Sequence, residues 1–316
     1  MEVIELPSYT REDKFQIARR HLVKKQLEKH GLAAAACRIA DSALYSLIDN
    51  YTREAGVRKL ERAIASLCRK AAKELASGEK KVSIKASDLK ELLGPAKYRP
   101  EQILREDQVG VINGLAWTSV GGEHMQLEVA ALEGTGKVSL TGSLGDVMKE
   151  SAQTAVSYVR SKASSLGIPS DFYKNKDIHV HATEAAVPKD GPSAGVTITT
   201  ALVSALTGIP VRRDVAMTGE VTLRGRVLAI GGLKEKSMAA YRAGDKTVFI
   251  PAENEPDLAE LDQKVKEHIR FIPVEDVGTV IRKALVTPPK PLPPTGCAPT
   301  PPLDKPAEPA AKGLSQ

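Results

Sequence analysis

Residues 188–195 read PKDGPSAG, a glycine- and proline-rich stretch with one serine at its centre. It lies between the segment IHVH (178–181) and the long apolar run VTITTALV (196–203). This order predicts a strand, a tight loop and a helix, with Ser193 near the start of the helix. Because serine is a common helix-capping residue, a capping role is the simplest interpretation of Ser193.

Three neighbours of Ser193 favour a chemical role instead. Gly191 and Gly195 leave room for another backbone to approach, and Pro192 fixes the backbone just before the serine. The following helix directs free amide groups toward this point, where they can stabilise an oxyanion. A serine in this setting suits acyl transfer, provided that another residue accepts its proton.

Histidine is one candidate for that base. GPSAG (191–195) satisfies the G-x-S-x-G pattern of α/β-hydrolases, and His268 is the one histidine that follows Ser193 in the sequence. However, residues 188–190 place a loop before the serine, where that fold requires a strand. An esterase with Ser193 and a histidine base is therefore the alternative hypothesis.

His179 and His181 alternate on one predicted strand and share a face. They could form a triad base or a metal pair, but no Asp, Glu or Cys stands nearby at ligand spacing. A structural or hydrogen-bonding role is the better interpretation, and we predict no metal site.

Lysine is the remaining candidate base. In IGGLKEKS (230–237) a glycine pair ends an apolar strand and a helix begins, which places Lys236 in the first helical turn. The positive end of the helix dipole disfavours the ammonium form there, although burial has to supply most of the pKa depression.

Composition sets the broad class of the protein. The chain has 316 residues, of which 42% are hydrophobic and 27% charged. This length predicts about two globular domains. No stretch is long and apolar enough to span a membrane, and residues 1–7 do not resemble a signal peptide, so we expect a cytoplasmic protein without a membrane partner. Three dispersed cysteines fit a reducing compartment.

The net charge of +6 raises the question of nucleic-acid binding. The basic residues are scattered and aromatic residues make up 4% of the chain. A solvated basic surface explains these scattered charges better than a nucleic-acid-binding module does. Weak DNA binding is kept as an alternative hypothesis.

The distribution of apolar, polar and proline residues divides the chain into four parts. It predicts an α+β fold. Residues 1–97 are predicted to be helical, 98–107 to be a linker, 108–286 to be a mixed α/β domain, and 287–316 to be a disordered Pro-rich tail. The helical part has apolar stripes at helical spacing, at Leu44, Leu47, Ile48 and Tyr51, and at Val57, Leu60, Ile64, Leu67, Cys68, Ala71 and Leu75.

The mixed domain is predicted from alternation and helical periodicity. Its predicted elements are strands at 125–130, 178–181, 215–218, 246–250 and 269–273, a hairpin turning at Arg224–Gly225, and helices at 146–166, 194–207, 234–243 and 275–285.

These motifs together resemble the proteolytic domain of Lon, the ATP-dependent serine protease. The resemblance is carried by PKDGPSAG and by MTGEVTLRGRVLAIGGLKEK (217–236), in which Lys236 lies 43 positions after Ser193. It extends through GLAWT, TGSLGDVMKES, DFYKNKDIHVH and IPAEN, and so covers about residues 108–286.

The resemblance implies a Ser-Lys dyad that hydrolyses peptide bonds of unfolded or damaged proteins, with Ser193 as nucleophile and Lys236 as general base. It further implies that Thr218 hydrogen-bonds the lysine, and that Asp190 and Glu128 are acidic residues near the site.

The helical part resembles the small α subdomain of the Lon AAA+ module, through YTREAGVRKLER (51–62), and implies a nucleotide-sensing role for Arg58. No G-x-x-x-x-G-K-[ST] motif occurs, so we expect a fragment that needs no cofactor and does not itself bind ATP. For the full-length enzyme the resemblance implies ATP and magnesium, a homo-hexamer, and a bacterial cytoplasmic or, alternatively, mitochondrial-matrix location.

Overall fold

The computed structural model describes residues 9–98, 104–118, 121–183 and 189–293. Within these ranges the α-helices are α1 (Arg11–Ile17), α2 (Val23–Lys29), α3 (Asp41–Ser46), α4 (Arg58–Ala76), α5 (Leu89–Leu93), α6 (Asp146–Lys162), α7 (Phe172–Asn175), α8 (Gly195–Thr207), α9 (Leu233–Ala243), α10 (Gln263–His268) and α11 (Val277–Ala284). The strands are β1 (Cys37–Ile39), β2 (Val82–Ile84), β3 (Val111–Thr118), β4 (Gly121–Glu133), β5 (Val138–Thr141), β6 (Lys176–Ala182), β7 (Val215–Met217), β8 (Glu220–Val221), β9 (Val227–Leu228), β10 (Thr247–Pro251) and β11 (Arg270–Val274).

The first helix begins at a capping box. Thr10 Oγ1 accepts the backbone N–H of Asp13 at 3.1 Å, and the Asp13 carboxylate accepts the backbone N–H of Thr10 at the same distance. The Thr10 hydroxyl and the Asp13 carboxylate thus accept hydrogen bonds from backbone N–H groups that have no partner within the helix. Aspartate therefore takes the place that glutamate or glutamine usually holds in this motif.

The N-terminal helices enclose a hydrophobic core of their own. Helix α4 buries one face, and the two predicted apolar stripes meet there. The buried residues of these stripes are Leu44, Leu47, Ile48, Leu60, Ile64, Leu67, Cys68 and Ala71. The helical prediction for this region is confirmed for α1 to α5, because periodic burial specifies each of the longer helices.

A two-stranded parallel sheet interrupts this helical part, and here the all-helical prediction was wrong. Strand β1 pairs with β2 through the register Cys37↔Val82, Arg38↔Ser83 and Ile39↔Ile84. Each strand has three residues, so apolar alternation is too short to distinguish it from a loop. The pairing joins segments far apart in sequence, so local sequence periodicity cannot predict it.

A mixed seven-stranded sheet forms the second part of the chain. Its strand order is β11-β10-β7-β3-β4-β6-β5, with antiparallel pairs at β3–β4 and β4–β6 and parallel pairs elsewhere. A separate two-stranded hairpin, β8–β9, turns at the predicted Arg224–Gly225. Together with the helical part this confirms the predicted α+β fold.

Helices cover both faces of the sheet. Residues of α6, α8 and α11 share one hydrophobic cluster with β4, whereas residues of α9 and α10 share another with β7 and β10. Helix α8 lies so deep that residues 195–204 are all buried. Its mostly apolar sequence, which also contains buried Thr197, Thr199 and Thr200, therefore reflects complete enclosure rather than a single buried face.

Each helix and strand predicted in this domain is found, with ends that differ by a few residues. The apolar residues of the helix at 146–166 predict an inner face formed by Val147, Ala152, Ala155, Val156 and Val159, but Val147 is exposed and Met148 and Ser151 are buried instead. In the first turn of a helix, neighbouring positions lie about 100° apart, so a small error in the assumed orientation of the helix exchanges inner and outer residues.

The predicted linker and tail lie partly outside the described residues, which exclude 99–103 and 294–316. The described start of the tail contacts the domain before it. The backbone N–H of Leu292 donates to the Ser164 carbonyl at 2.8 Å, and a β-carbon on Gly167 would lie 2.6 Å from the Lys290 carbonyl oxygen.

No helix within the described ranges is both long and apolar enough to cross a membrane.

Strand β4 offers a matched test of the core. Leu127 is 0% exposed and Leu132, on the same strand, is 57% exposed. We expect Leu127→Ala to lower the free energy of unfolding by about 2–5 kcal/mol, because it leaves a cavity between sheet and helices. Leu132→Ala should change it by about 0.5 kcal/mol or less. Urea unfolding of both variants measures this, and equal effects would contradict the described burial.

Candidate active site

Ser193 lies in a single 3₁₀ turn, Pro192–Ala194, that leads directly into α8. Its side chain is half-buried. The backbone N–H of Gly219 donates to the Ser193 carbonyl at 2.8 Å, and that of Val196 donates to the Gly219 carbonyl at 3.0 Å. These two bonds hold the serine turn against the segment between β7 and β8.

The two flanking glycines serve different purposes. A β-carbon on Gly195 would lie 2.8 Å from the backbone nitrogen of Val221, so this glycine does permit the predicted close approach of another backbone. None of the described residues beyond its two chain neighbours lies within 4 Å of the β position of Gly191, and its φ of +122° is a conformation that other residues rarely adopt. Within the described part of the chain, Gly191 therefore serves the turn rather than the predicted approach of a neighbour.

Lys236 lies in the first turn of α9, where its backbone N–H donates to the Gly232 carbonyl. Gly232 has a φ of +70°, a left-handed conformation that turns the chain sharply from the preceding segment into the helix. The lysine side chain points inward and the residue is 3% exposed. Its Nζ donates to Thr218 Oγ1 at 3.1 Å.

Burial lowers the pKa of Lys236 from its ordinary value near 10.5 to about 8. The cause is desolvation, since taking an ammonium out of water disfavours the charged form. The sequence-based expectation that burial supplies most of this depression is confirmed. The chain buries Lys236 by its own fold.

Ser193 and Lys236 line one cavity of about 280 Å³. Thr218 lies between them, because its hydroxyl accepts from Lys236 Nζ and donates to the Ser193 carbonyl at 3.5 Å. The hydrogen bonds of the described residues do not include one between Ser193 Oγ and Lys236 Nζ. The charged residues lining the cavity are Glu123, Lys189, Asp190 and Lys236.

Asp190 is at the cavity, but its carboxylate is engaged elsewhere. Asp190 Oδ1 accepts the backbone N–H of Met148 at 3.0 Å and that of Gly191 at 2.9 Å. It thereby caps the start of α6, and a β-carbon on Gly145 would overlap its carboxylate. Asp190 ties the serine loop to that helix.

Glu128, the other predicted acidic residue, is not brought to the cavity. It lies exposed on β4, in register with His181 on β6 and Val111 on β3. Glu123, which was not predicted, lines the cavity instead and is buried. The sequence could have indicated that Glu123 is buried, because alternate residues of a strand share a face and Glu123 therefore lies on the same face as the buried Met125 and Leu127.

Trp117 was also missed. It lines the cavity, it is 60% exposed, and it packs against Gly232. A large exposed aromatic side chain at a cavity rim suits contact with an apolar ligand group.

The histidines lie apart from this arrangement. His179 Nε2 and His181 Nδ1 each lie within hydrogen-bond distance of Thr141 Oγ1, at 2.9 and 2.8 Å, in agreement with the predicted hydrogen-bonding role. His268 ends α10, contacts the Lys264 carbonyl through Nδ1, and lines a different cavity from Ser193. No strand leads directly into Ser193 within the described residues. The α/β-hydrolase alternative is therefore not supported.

Arg58 begins α4 and is exposed at its N-terminal end. Among the residues that the structure describes, no group of three or more His, Cys, Asp or Glu could hold a metal ion.

Comparison with known proteins identifies both parts. Residues 28–84 match the Lon protease AAA+ ATPase lid domain, and residues 83–287 match the Lon protease (S16) C-terminal proteolytic domain. The protein is thus of the class in which a protease domain follows an AAA+ lid. The chain belongs to the Lon protease family.

Individual relatives agree with this assignment. The chain is 55% identical over 289 residues to the Lon protease of Heliobacterium modesticaldum, which covers 91% of this chain and 36% of the relative. It is 53% identical over 290 residues to that of Brevibacillus choshinensis (92% and 37%), and 51% identical over 323 residues to that of Anaeromyxobacter dehalogenans (98% and 38%). The chain spans a little over a third of the length of these curated relatives.

The Thr218 hydroxyl is the acceptor that orients Lys236, which gives a direct test. We expect Thr218→Val to lower the rate of peptide cleavage about tenfold or more, because it leaves a buried polar group without its partner. Thr218→Ser keeps the hydroxyl and should retain most of the activity. A fluorogenic peptide assay compares the variants, and full activity in Thr218→Val would show that this bond is dispensable.

Proposed function

We propose that this protein is the proteolytic part of a Lon protease that cleaves peptide bonds with Ser193 as nucleophile and Lys236 as general base. The observation that supports this most strongly is the burial of Lys236 in the cavity that Ser193 also lines. A buried lysine beside a serine can be neutral at physiological pH and can accept the serine proton.

In the first step, Ser193 Oγ attacks the carbonyl carbon of the scissile bond while its proton passes to Lys236 Nζ. The tetrahedral intermediate then collapses, the carbon–nitrogen bond breaks, and the Lys236 ammonium gives its proton to the leaving amine. The products of this half-reaction are a free amine and an acyl ester on Ser193.

In the second step, water attacks the acyl carbonyl and Lys236 accepts a proton from it. Collapse of this intermediate releases the carboxylate product, and Ser193 Oγ regains its proton from Lys236. Backbone amides at the turn that precedes α8 are suited to stabilise the oxyanion in both steps, because helix N-termini carry unpaired N–H donors.

The lowered pKa is what makes this mechanism effective. With a pKa of about 8, about one Lys236 in five is neutral at pH 7.4, whereas an ordinary lysine is neutral in about one molecule per thousand. The depression corresponds to about 3 kcal/mol of destabilisation of the ammonium by burial. Thr218 supports the base by fixing the direction of Nζ, and Asp190 supports the nucleophile by fixing its loop.

For the whole protein we propose the properties of the family. Its substrates are unfolded or damaged proteins, it forms a homo-hexamer, and it uses ATP and magnesium bound outside this chain, with Arg58 sensing the nucleotide. We propose a cytoplasmic location in a bacterium, with the mitochondrial matrix as the alternative, and at most weak DNA binding.

The dyad predicts a specific pattern among variants of this chain. Ser193→Ala and Lys236→Ala should each abolish cleavage of a fluorogenic peptide. Lys236→Arg should be equally inactive, because a guanidinium keeps its proton and cannot act as a base. Circular dichroism confirms that each variant is folded, and substantial activity in Lys236→Arg would eliminate the proposed base.

The rate should also depend on pH in a defined direction. Since the neutral amine is the active form, kcat/KM should rise with pH through an apparent pKa of about 8, and it should level off above that value. A peptide of constant charge between pH 6 and about 10 isolates the enzyme's own titration. A rate that falls through this range, or that rises only near 10.5, would contradict a buried lysine base.

A further inference from the structure

An ion pair joins the lid to the wall of the Ser193 cavity. Arg53 lies in the lid, between a helical turn at Leu47–Tyr51 and α4, and its Nη2 is 2.6 Å from Glu123 Oε1. The Glu123 side chain is 4% exposed. The two residues are 70 positions apart, so the contact connects the two family domains.

Glu123 needs this partner because its carboxylate is buried. The Arg53 side chain is 36% exposed, but removing it would leave the buried Glu123 carboxylate without its charged partner, which costs more than the loss of a pair exposed on both sides. The Glu123 carboxylate also borders the cavity that holds Ser193 and Lys236. Any movement that rehydrates this carboxylate therefore alters the wall of the site.

The residue before Glu123 touches the helix that carries Lys236. A β-carbon on Gly122 would overlap the Glu235 carbonyl and would lie 2.9 Å from the Lys236 backbone nitrogen. The strand and the helix thus pack backbone against backbone at this point. Arg242, from the same helix, donates to the Gly122 carbonyl at 2.7 Å.

The residue after Glu123 is held as well. His124 Nε2 lies 3.1 Å from Asp245 Oδ2, and both side chains are buried. The Asp245 carboxylate also accepts from Asn113 Nδ2 at 3.1 Å, which ties it to β3. The start of β4 is consequently fixed by three successive residues to α9, to the lid and to the segment that follows α9.

We propose that Arg53 is a positioning residue for the proteolytic site, through which the lid holds the start of β4 and the first turn of α9 in place. This inference rests on the proposed function, because the position of the first turn of α9 matters for activity only if Lys236 is the base. Arg53 lines the cavity between lid and protease domain, not the Ser193 cavity, so it acts through Glu123.

Activity then depends on the position of the lid. When Arg53 is withdrawn, the Glu123 carboxylate moves toward water, and the packing of Gly122 on α9 loosens. Arg58 lies five residues after Arg53 on the same lid segment. A displacement of that segment therefore reaches Lys236 through a chain of direct contacts.

Arg53→Met tests this in the 316-residue chain. We expect kcat for a fluorogenic peptide to fall about tenfold or more, while KM changes by about threefold or less, because the variant disturbs the base and leaves the rest of the site intact. Hydrogen exchange of the backbone amides of α9 should become faster. Arg53→Lys keeps the charge and should restore most of kcat.

Two control variants separate this role from simple loss of an ion pair. Arg11 also lines the cavity between the domains and is paired at 2.6 Å, but with Asp49 inside the N-terminal helical part. Lys264 pairs with Glu12 across the two parts at 3.6 Å, on an exposed surface. Arg11→Met and Lys264→Met should leave kcat and the exchange of α9 unchanged.

The double variant Arg53→Met/Glu123→Gln gives the sharpest outcome. Because Arg53→Met and Glu123→Gln break the same contact, each should lower kcat, and the double variant should be at most about twofold less active than Arg53→Met. Unchanged exchange of α9 in Arg53→Met would overturn the proposal, and so would a double variant in which the two losses of kcat multiply. These readouts do not depend on the identity of the base, which Lys236→Arg tests separately.

Discussion

The buried amine of Lys236 is the constraint on which the rest of the site depends. A lysine at the start of a helix ordinarily extends into solvent, but this one points into the domain, where burial lowers its pKa to about 8. Several features of the fold are required to keep it there. Gly232 turns the chain into α9, Gly122 lets the strand pack against that helix, and Thr218 accepts the hydrogen bond of Nζ. The desolvation that stabilises the neutral amine is thus a property of the packed domain.

The same packing connects the site to the lid. The start of β4 touches α9 through Gly122 and the lid through Glu123, so α9 and the lid share one short segment of strand. In this pair Glu123 is buried and Arg53 is partly exposed, so the pair itself contributes little net stability, whereas loss of Arg53 leaves a buried carboxylate unpaired. An ion pair between Arg53 and Glu123 is therefore better suited to report the position of the lid than to hold the domains together. This interpretation gives the lid a structural role in proteolysis within the chain itself.

Local pattern was sufficient for much of the fold and for part of the site. Helical periodicity predicted α4, alternation predicted β4, and the glycine pair before Leu233 predicted that Lys236 lies in the first turn of a helix. The β1–β2 pairing was missed because three-residue strands carry too little periodicity, and their contact is distant in sequence. Glu123 shares the buried parity of Met125, but its partner Arg53 lies 70 residues away and only the folded chain brings them together. Glu128 was assigned to the site by resemblance, whereas its outward position follows from strand geometry.

The pKa of Lys236 is the quantity that tests this account most directly. Lysine labelled with ¹³C at the ε-carbon reports protonation through its chemical shift, and comparison with Lys236→Arg assigns the signal. The account predicts one lysine resonance that titrates with a pKa of about 8 and is absent from the variant. If the assigned resonance titrated near 10.5 in the folded chain, Lys236 would be protonated at physiological pH and could not be the resting base.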